Sequence, residues 1–383
     1  MAPRSPLRFP PDHDDIALVL QGGGALGAYQ AGVYAEIFRT EFQPNWVAGV
    51  SIGSINAALI AGNPPERRVE RLQAFWDRVS SAVIAPAPPG DGYRKLFNRG
   101  SAAVAAVAGV PGFYEPWVPP PFLQRAGTPA AVSFYDTGAL RKTLLDLVSF
   151  KLVNDGSVRL SVGAVNVRTG NSQWFDNRGP NAEEITVDHI LASGALPPAF
   201  APVVIGKEAY WDGGIVSNTP LQYVLDERAT SEPLLVFQVD LFSARGPIPE
   251  DLSEALQRHK DILYSSRTRY VTDRAKALRN SLQAVRELIE QLPPRFRHDP
   301  RLEILNEMTA SAPVDIVHLI YRNKRYELES KDYEFSRASV REHWAAGQRD
   351  MCATMSQPDK LLRSGVEEGV TVYDLDPALA PKA

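Results

Sequence analysis

Gly49-Val50-Ser51-Ile52-Gly53 sets a serine between glycines at the spacing G-x-S-x-G. In this pentapeptide the serine occupies a strained strand-to-helix turn, and small neighbours leave its hydroxyl open to a substrate carbonyl. A serine hydroxyl attacks only when a base removes its proton. Of the six histidines, His13 stands in a polar tail, and His259 and His298 lie in or just beyond a charged helical stretch. His189, His318 and His343 fall where a buried, hydrogen-bonded histidine is the commoner outcome. Asp212, in Tyr210-Trp211-Asp212-Gly213-Gly214, is the stronger base. Its aromatic neighbours limit water, and partial burial lifts a carboxyl above its ordinary pKa of about 3.9, which favours general-base work. The plain alternative is an Asp-Gly turn at a strand end.

Gly22-Gly23-Gly24-Ala25-Leu26-Gly27 matches G-x-G-x-x-G after an apolar run, the form of a dinucleotide-binding loop. That use needs an acidic residue at the end of the second strand for the ribose hydroxyls, and Ser51 stands there instead. The loop has a second use. Successive backbone N–H groups at a helix start receive a negative oxygen, whether of a phosphate or of a tetrahedral oxyanion.

The elements that must hold these groups follow from periodicity. Residues 16–20 are a continuous apolar run, as in a strand buried on both faces, and residues 25–40 have helical spacing. Residues 46–50 and 52–61 repeat strand, turn and helix around Ser51. Strands are expected at 160–167, 173–175, 234–239 and 314–321, and helices at 138–148, 187–193, 221–229 and 336–355. Residues 253–292 hold forty residues without Gly or Pro and read as one long helix or two joined. This alternation predicts an α/β fold, a three-layer α/β/α sandwich with a mostly parallel central sheet. Between residues 86 and 129, nine of 44 residues are proline, which argues against a regular helix and for an irregular insertion, either a packed surface loop or a lid.

Composition narrows the classes of function. Forty-one basic against 45 acidic residues give a net charge of −4, so no global field draws nucleic acid or anionic lipid, and any membrane contact is local and transient. One cysteine and six scattered histidines suggest no zinc site and fit a reducing, cytoplasmic compartment. No apolar run has the length of a membrane span or the form of an export signal. No metal or organic cofactor is expected, and the oligomeric state is not readable.

Together these residues resemble the patatin-like phospholipase family: the glycine loop at 22–27, the serine motif at 49–53 and Asp-Gly-Gly at 212–214, in that order. Residues 192–200 and Asn218-Thr219-Pro220 are similar to the family segments that flank the aspartate. The resemblance covers about residues 14–240 and implies a Ser51–Asp212 dyad that hydrolyses acyl esters of lipids through an acyl-enzyme. Backbone N–H groups of Gly22, Gly23, Gly24 and Ile52 would form the oxyanion hole, and Gly27, Gly49, Gly53, Gly213 and Gly214 are the remaining motif glycines. Leu26 departs from the family, which often has Arg or Lys there. Residues 1–13 read as a tail and 241–383 as a mainly helical extension. Two other readings stay open: a silent scaffold of this fold that binds a partner through its C-terminal region, and a dinucleotide-dependent oxidoreductase.

Overall fold

The computed structural model describes residues 15–179, 181–228, 233–293, 302–305, 312–356 and 370–374. The expected tail at 1–13, with His13 and His298, lies outside them. The frame is a sheet of nine strands among these residues. Strand β1 (Asp15–Leu20) pairs in parallel with β2 (Trp46–Val50) on one side and β9 (Leu234–Asp240) on the other. Strands β10 (Val314–Ile320) and β11 (Val370–Asp374) continue in parallel beyond β9, and β5 (Arg159–Asn166) lies parallel beside β2. Two strands, β6 (Ser172–Asp176) and β8 (Glu208–Asp212), run against this direction, and β7 (Val203–Ile205), antiparallel to β8, returns to it.

Alternate residues of the apolar strands enter two different cores. Leu18 and Leu20 of β1 join Val47, Val162 and Phe237 on one face, under α1 (Gly27–Ile37), α2 (Ile52–Ala61) and α3 (Pro65–Val79). Ala17 and Val19 join Ala48, Val236 and Ile316 on the other, under α8 (Leu221–Glu227), which brings Leu221 and Val224, and α9 (Leu252–Glu290), which brings Val271. Burial on both faces is why these strands read as unbroken apolar runs. The three-layer sandwich expected from sequence is the fold observed.

Two features differ from expectation. The proline-rich stretch contains a regular helix, α4 (Asp91–Ala108), of 18 residues. Its prolines cluster on either side, at 86–89 and from 111 onward, so the alanine-rich middle is free to coil. The C-terminal region holds the expected helices, α9 as one helix of 39 residues and α10 (Arg337–Met355), but it also adds β10 and β11 to the same sheet. It is therefore built into the same frame.

Helices α1 and α10 touch backbone to backbone. A Cβ on Gly32 would lie 2.0 Å from the Trp344 carbonyl oxygen, and one on Gly347 would lie 2.1 Å from that of Tyr29. The Tyr29 hydroxyl then donates to Asp350 at 2.9 Å. Substitution Gly347→Ala is expected to lower stability by at least about 2 kcal/mol through overpacking. Gly100→Ala, which has nothing within 4 Å of its new methyl group, is expected to raise it by roughly 0.5–1 kcal/mol through helix propensity. Urea melts of the two variants check this, and a Gly347→Ala variant at wild-type stability would contradict the close packing.

Candidate active site

Strand register brings the serine and the aspartate together. The edge of β5 opposite β6 pairs first with β2, where Val50 faces Gly163, and one residue later with β8, where Asp212 faces Ala164. Because β2 runs parallel and β8 antiparallel to β5, the two strands approach head to head along one edge. Ser51 and Asp212 stand at the junction.

Ser51 turns the chain from β2 into α2 with φ 56° and ψ −126°, alone among the described non-glycine residues in having positive φ. Such a conformation costs about 1–3 kcal/mol and persists only where the surroundings enforce it. Here Gly49 and Gly53 allow the enforcement: a Cβ on Gly49 would meet the Gly53 carbonyl oxygen at 2.3 Å, and one on Gly53 would meet the Leu20 oxygen at 2.3 Å. Ser193, at the end of α7 (Val187–Ser193), closes the turn from the other side. Its hydroxyl accepts the Ser51 N–H at 2.9 Å and donates to the Gly163 carbonyl at 2.7 Å.

Asp212 is buried and accepts the Gly214 N–H at 2.7 Å, and it stands beside Ser51 where β8 meets β2. Burial pushes its carboxyl up to about 6, while the neighbouring Ser51 side chain and the Gly214 N–H favour the ionised form and hold the rise in check. A base poised near neutrality beside a serine hydroxyl is the arrangement that general-base chemistry requires. The described histidines are engaged elsewhere: His189 caps α7 through Thr186, His318 pairs with Asp240 and His343 with Glu327, while His259 is exposed on α9.

The glycine loop stands over this junction, and a Cβ on Gly22 would lie 3.0 Å from that of Ser51. Gly22, expected as an oxyanion donor, is otherwise occupied. Its N–H donates to the Asn218 carbonyl at 3.1 Å, and its own carbonyl accepts from the Asn218 side chain at 2.9 Å. The N–H groups of Gly23, Gly24 and Ile52 have no partner among the described residues, and that of Ile52 opens α2, where the helix dipole favours negative charge. Leu26 is fully buried in the core.

Three positions that sequence reasoning passed over hold the glycine loop and the serine turn. Fully buried Gln21 donates to Thr219 at 3.0 Å and to the Tyr264 carbonyl at 3.2 Å, and its side-chain oxygen accepts the Leu241 N–H at 2.6 Å. Asp332 gives its carbonyl oxygen to the Ala25 N–H at 2.8 Å, in the space a Cβ on Gly24 would need. Ser193 is the third. A polar residue closing an apolar run, at Gln21 and at Ser193, was the one signal available. A cavity of about 1170 Å³ opens at the C-terminal ends of β9 and β10 between Asp240, Arg258, Asp261 and Arg322, with neither Ser51 nor Asp212 in its lining.

A family described as patatin-like phospholipase matches residues 18–225, more than half of the chain. The chain belongs to the patatin-like phospholipase family. A second family, described as patatin phospholipase, matches residues 262–365 of this patatin-like chain. The cGAMP-activated phospholipase of Vibrio cholerae is 26% identical over 252 residues, which are 58% of this chain and 63% of that protein. The protein of the same name from Pseudomonas aeruginosa is 26% identical over 225 residues, 56% of each. The chain thus spans less than two thirds of the length of these curated relatives. Among solved structures, VipD from Legionella pneumophila aligns over 91% of this chain and 68% of that one, at 14% identity and a TM-score of 0.39. No helix of the described residues is long and apolar enough to cross a membrane.

The raised Asp212 carboxyl makes a prediction with a definite sign. Between its ordinary value of 3.8 and about 6 the folded protein holds a proton that the unfolded chain releases, so this group costs stability as pH rises through that window. Asp212→Asn carries no charge. The variant is expected to melt above wild type at pH 8 and to converge with it toward pH 4, by calorimetry across that range; a variant less stable than wild type at pH 8 would contradict the burial argument.

Proposed function

We propose that this protein is a lipid acyl hydrolase in which Ser51 is the nucleophile and Asp212 its base. The observation that carries the reading is the head-to-head meeting of β2 and β8, which sets Ser51 beside a buried carboxyl pushed up to about 6. As Oγ attacks the ester carbonyl, its proton passes to Asp212 and the carbonyl oxygen becomes an oxyanion. The unpartnered N–H groups of Gly23, Gly24 and Ile52 receive that charge, a contact worth roughly 2.7–4 kcal/mol per donor in enzymes that use one. Collapse of the tetrahedral intermediate expels the alcohol, which takes the proton from Asp212, and leaves the acyl group on Ser51. Water then gives a proton to Asp212 as it attacks the acyl-enzyme. The second intermediate releases the fatty acid, and the proton returns to Ser51.

The family and the names of the two bacterial relatives support a lipid ester as the substrate class. The aromatic cluster of Phe113, Tyr114, Tyr135 and Phe200, with Tyr114 and Phe200 centroids 5.4 Å apart, supports acyl-chain access from the side of α4. Exposed Cys352 is compatible with a reducing cell interior.

Turnover of p-nitrophenyl esters over several chain lengths tests the roles. Ser51→Ala is expected to abolish turnover, and Asp212→Asn to lower kcat by about 10²–10⁴, the usual contribution of a positioned base. Wild-type kcat/KM should fall as pH drops through about 6, where Asp212 takes up its proton and can no longer accept one from Ser51. An unaltered rate in Asp212→Asn, or a flat profile through that pH, would remove Asp212 from the mechanism.

A further inference from the structure

Helix α4 is amphipathic in the inverted sense. Its buried face carries Arg94, Asn98 and Ser101 with two alanines, and Arg94 bonds Asn98, Ser339 and Glu342, each at 3.0 Å. Its outward face carries Tyr93, Leu96, Val104 and Val107 at helical spacing, with Leu96 69% and Val107 78% exposed. A surface helix of a water-soluble domain turns its apolar stripe inward. This one presents it to the outside.

The segment that follows extends the same surface. The Tyr135 hydroxyl donates to the Ala106 carbonyl at 2.8 Å, closing the segment on the end of α4. Between these points Val118, Phe122, Leu123 and Phe134 are exposed, Phe122 by 80%. Isolated exposed apolar residues are ordinary, but a run of them on adjoining elements marks an interaction surface. The surface is joined to the catalytic junction by a short path. Phe134 and Tyr135 donate their N–H groups to the carbonyls of Pro198 and Ala199, and the Ala195 carbonyl accepts the Asp212 N–H at 3.0 Å.

Charge indicates the occupant. Residues 91–134, from the start of α4, contain four basic residues and two acidic, Asp91 and Glu115, in a chain whose net charge is −4. Arg94 and Lys95 are paired with Glu342 and Glu254, while Arg99 and Arg125 are exposed among the apolar side chains. A local excess of positive charge repels a second copy of the same face and attracts an anionic one. Apolar side chains interspersed with arginine are the pattern of a surface that lies in the headgroup region of a bilayer. Resting on the reading of Ser51 as a lipid hydrolase, we propose that the outward face of α4 and residues 118–134 dock this protein on an anionic phospholipid bilayer. Docking on this face directs the Ala195–Phe200 path, and through it the dyad, toward the lipid.

The test uses the full chain with Ser51→Ala, so that vesicles stay intact, sedimented with vesicles of phosphatidylcholine alone or with about one third phosphatidylglycerol. Binding to the mixed vesicles is expected. Phe122→Ser with Leu123→Ser, and separately Val107→Asp, should weaken it by at least about tenfold. Arg99→Gln with Arg125→Gln should remove the preference for the anionic vesicles. The same surface substitutions on an active Ser51 background should leave turnover of a short, water-soluble ester unchanged, which shows that they fold. Loss of that turnover in wild type would count against the dyad alone, since vesicle binding is read without it. Absence of binding to the mixed vesicles, or binding that the apolar substitutions leave intact, overturns the proposal. So does a dimer, seen by sedimentation equilibrium, that the apolar substitutions dissociate while vesicles are ignored.

Discussion

Two strands that run toward each other along one edge of β5 cannot continue through one another, and both must turn where they meet. At that point β2 gives Ser51 and β8 gives Asp212, in adjacent register opposite Gly163 and Ala164. The meeting forces Ser51 into a left-handed conformation that serine adopts only under constraint, and the constraint comes from glycines whose missing side chains let β2, α2 and β1 close upon it. Ser51 is thereby set beside a carboxyl that the same junction buries. Position and proton affinity thus follow from one feature of the sheet.

The glycine loop depends on a wider set of contacts, and these explain why the C-terminal region cannot be a detachable appendage. Gln21 ties the end of β1 to residues 219, 241 and 264, and Asp332 takes the amide of Ala25. Helix α10 packs on α1, the helix the loop enters, so closely that glycine is required on both sides. With β10 and β11 paired beyond β9, the region after residue 240 completes the sheet and supports the loop together. Among its described residues no hydrogen bond reaches the side chain of Ser51 or Asp212, yet it fixes which loop amides are left unpaired.

The sequence disclosed most where local geometry leaves a local mark. Ser51 between glycines and Asp212 before two glycines were legible because tight turns need small residues at fixed offsets. The buried strands were legible because burial on both faces leaves unbroken apolar runs. What escaped notice depends on partners far along the chain. Ser193 reaches Ser51 across 142 positions, and Gln21 reaches Leu241 across 220. The engagement of Gly22 by Asn218 is likewise invisible in a motif, since a glycine with a free amide and one with a bonded amide are the same letter. Helix α4 was obscured for a different reason: prolines counted over the whole stretch hid a proline-free centre, and its inverted faces do not signal a core.

The central claim is that Ser51 is a nucleophile made reactive by Asp212. A fluorophosphonate, which phosphonylates a serine only when its hydroxyl is activated, tests this most directly, with intact-mass analysis and peptide mapping to place the adduct. The account predicts a single adduct on Ser51 of the wild-type protein, none in Ser51→Ala, and greatly slowed labelling in Asp212→Asn. A folded wild-type protein that takes no label, or one whose adduct persists in Ser51→Ala, would contradict it.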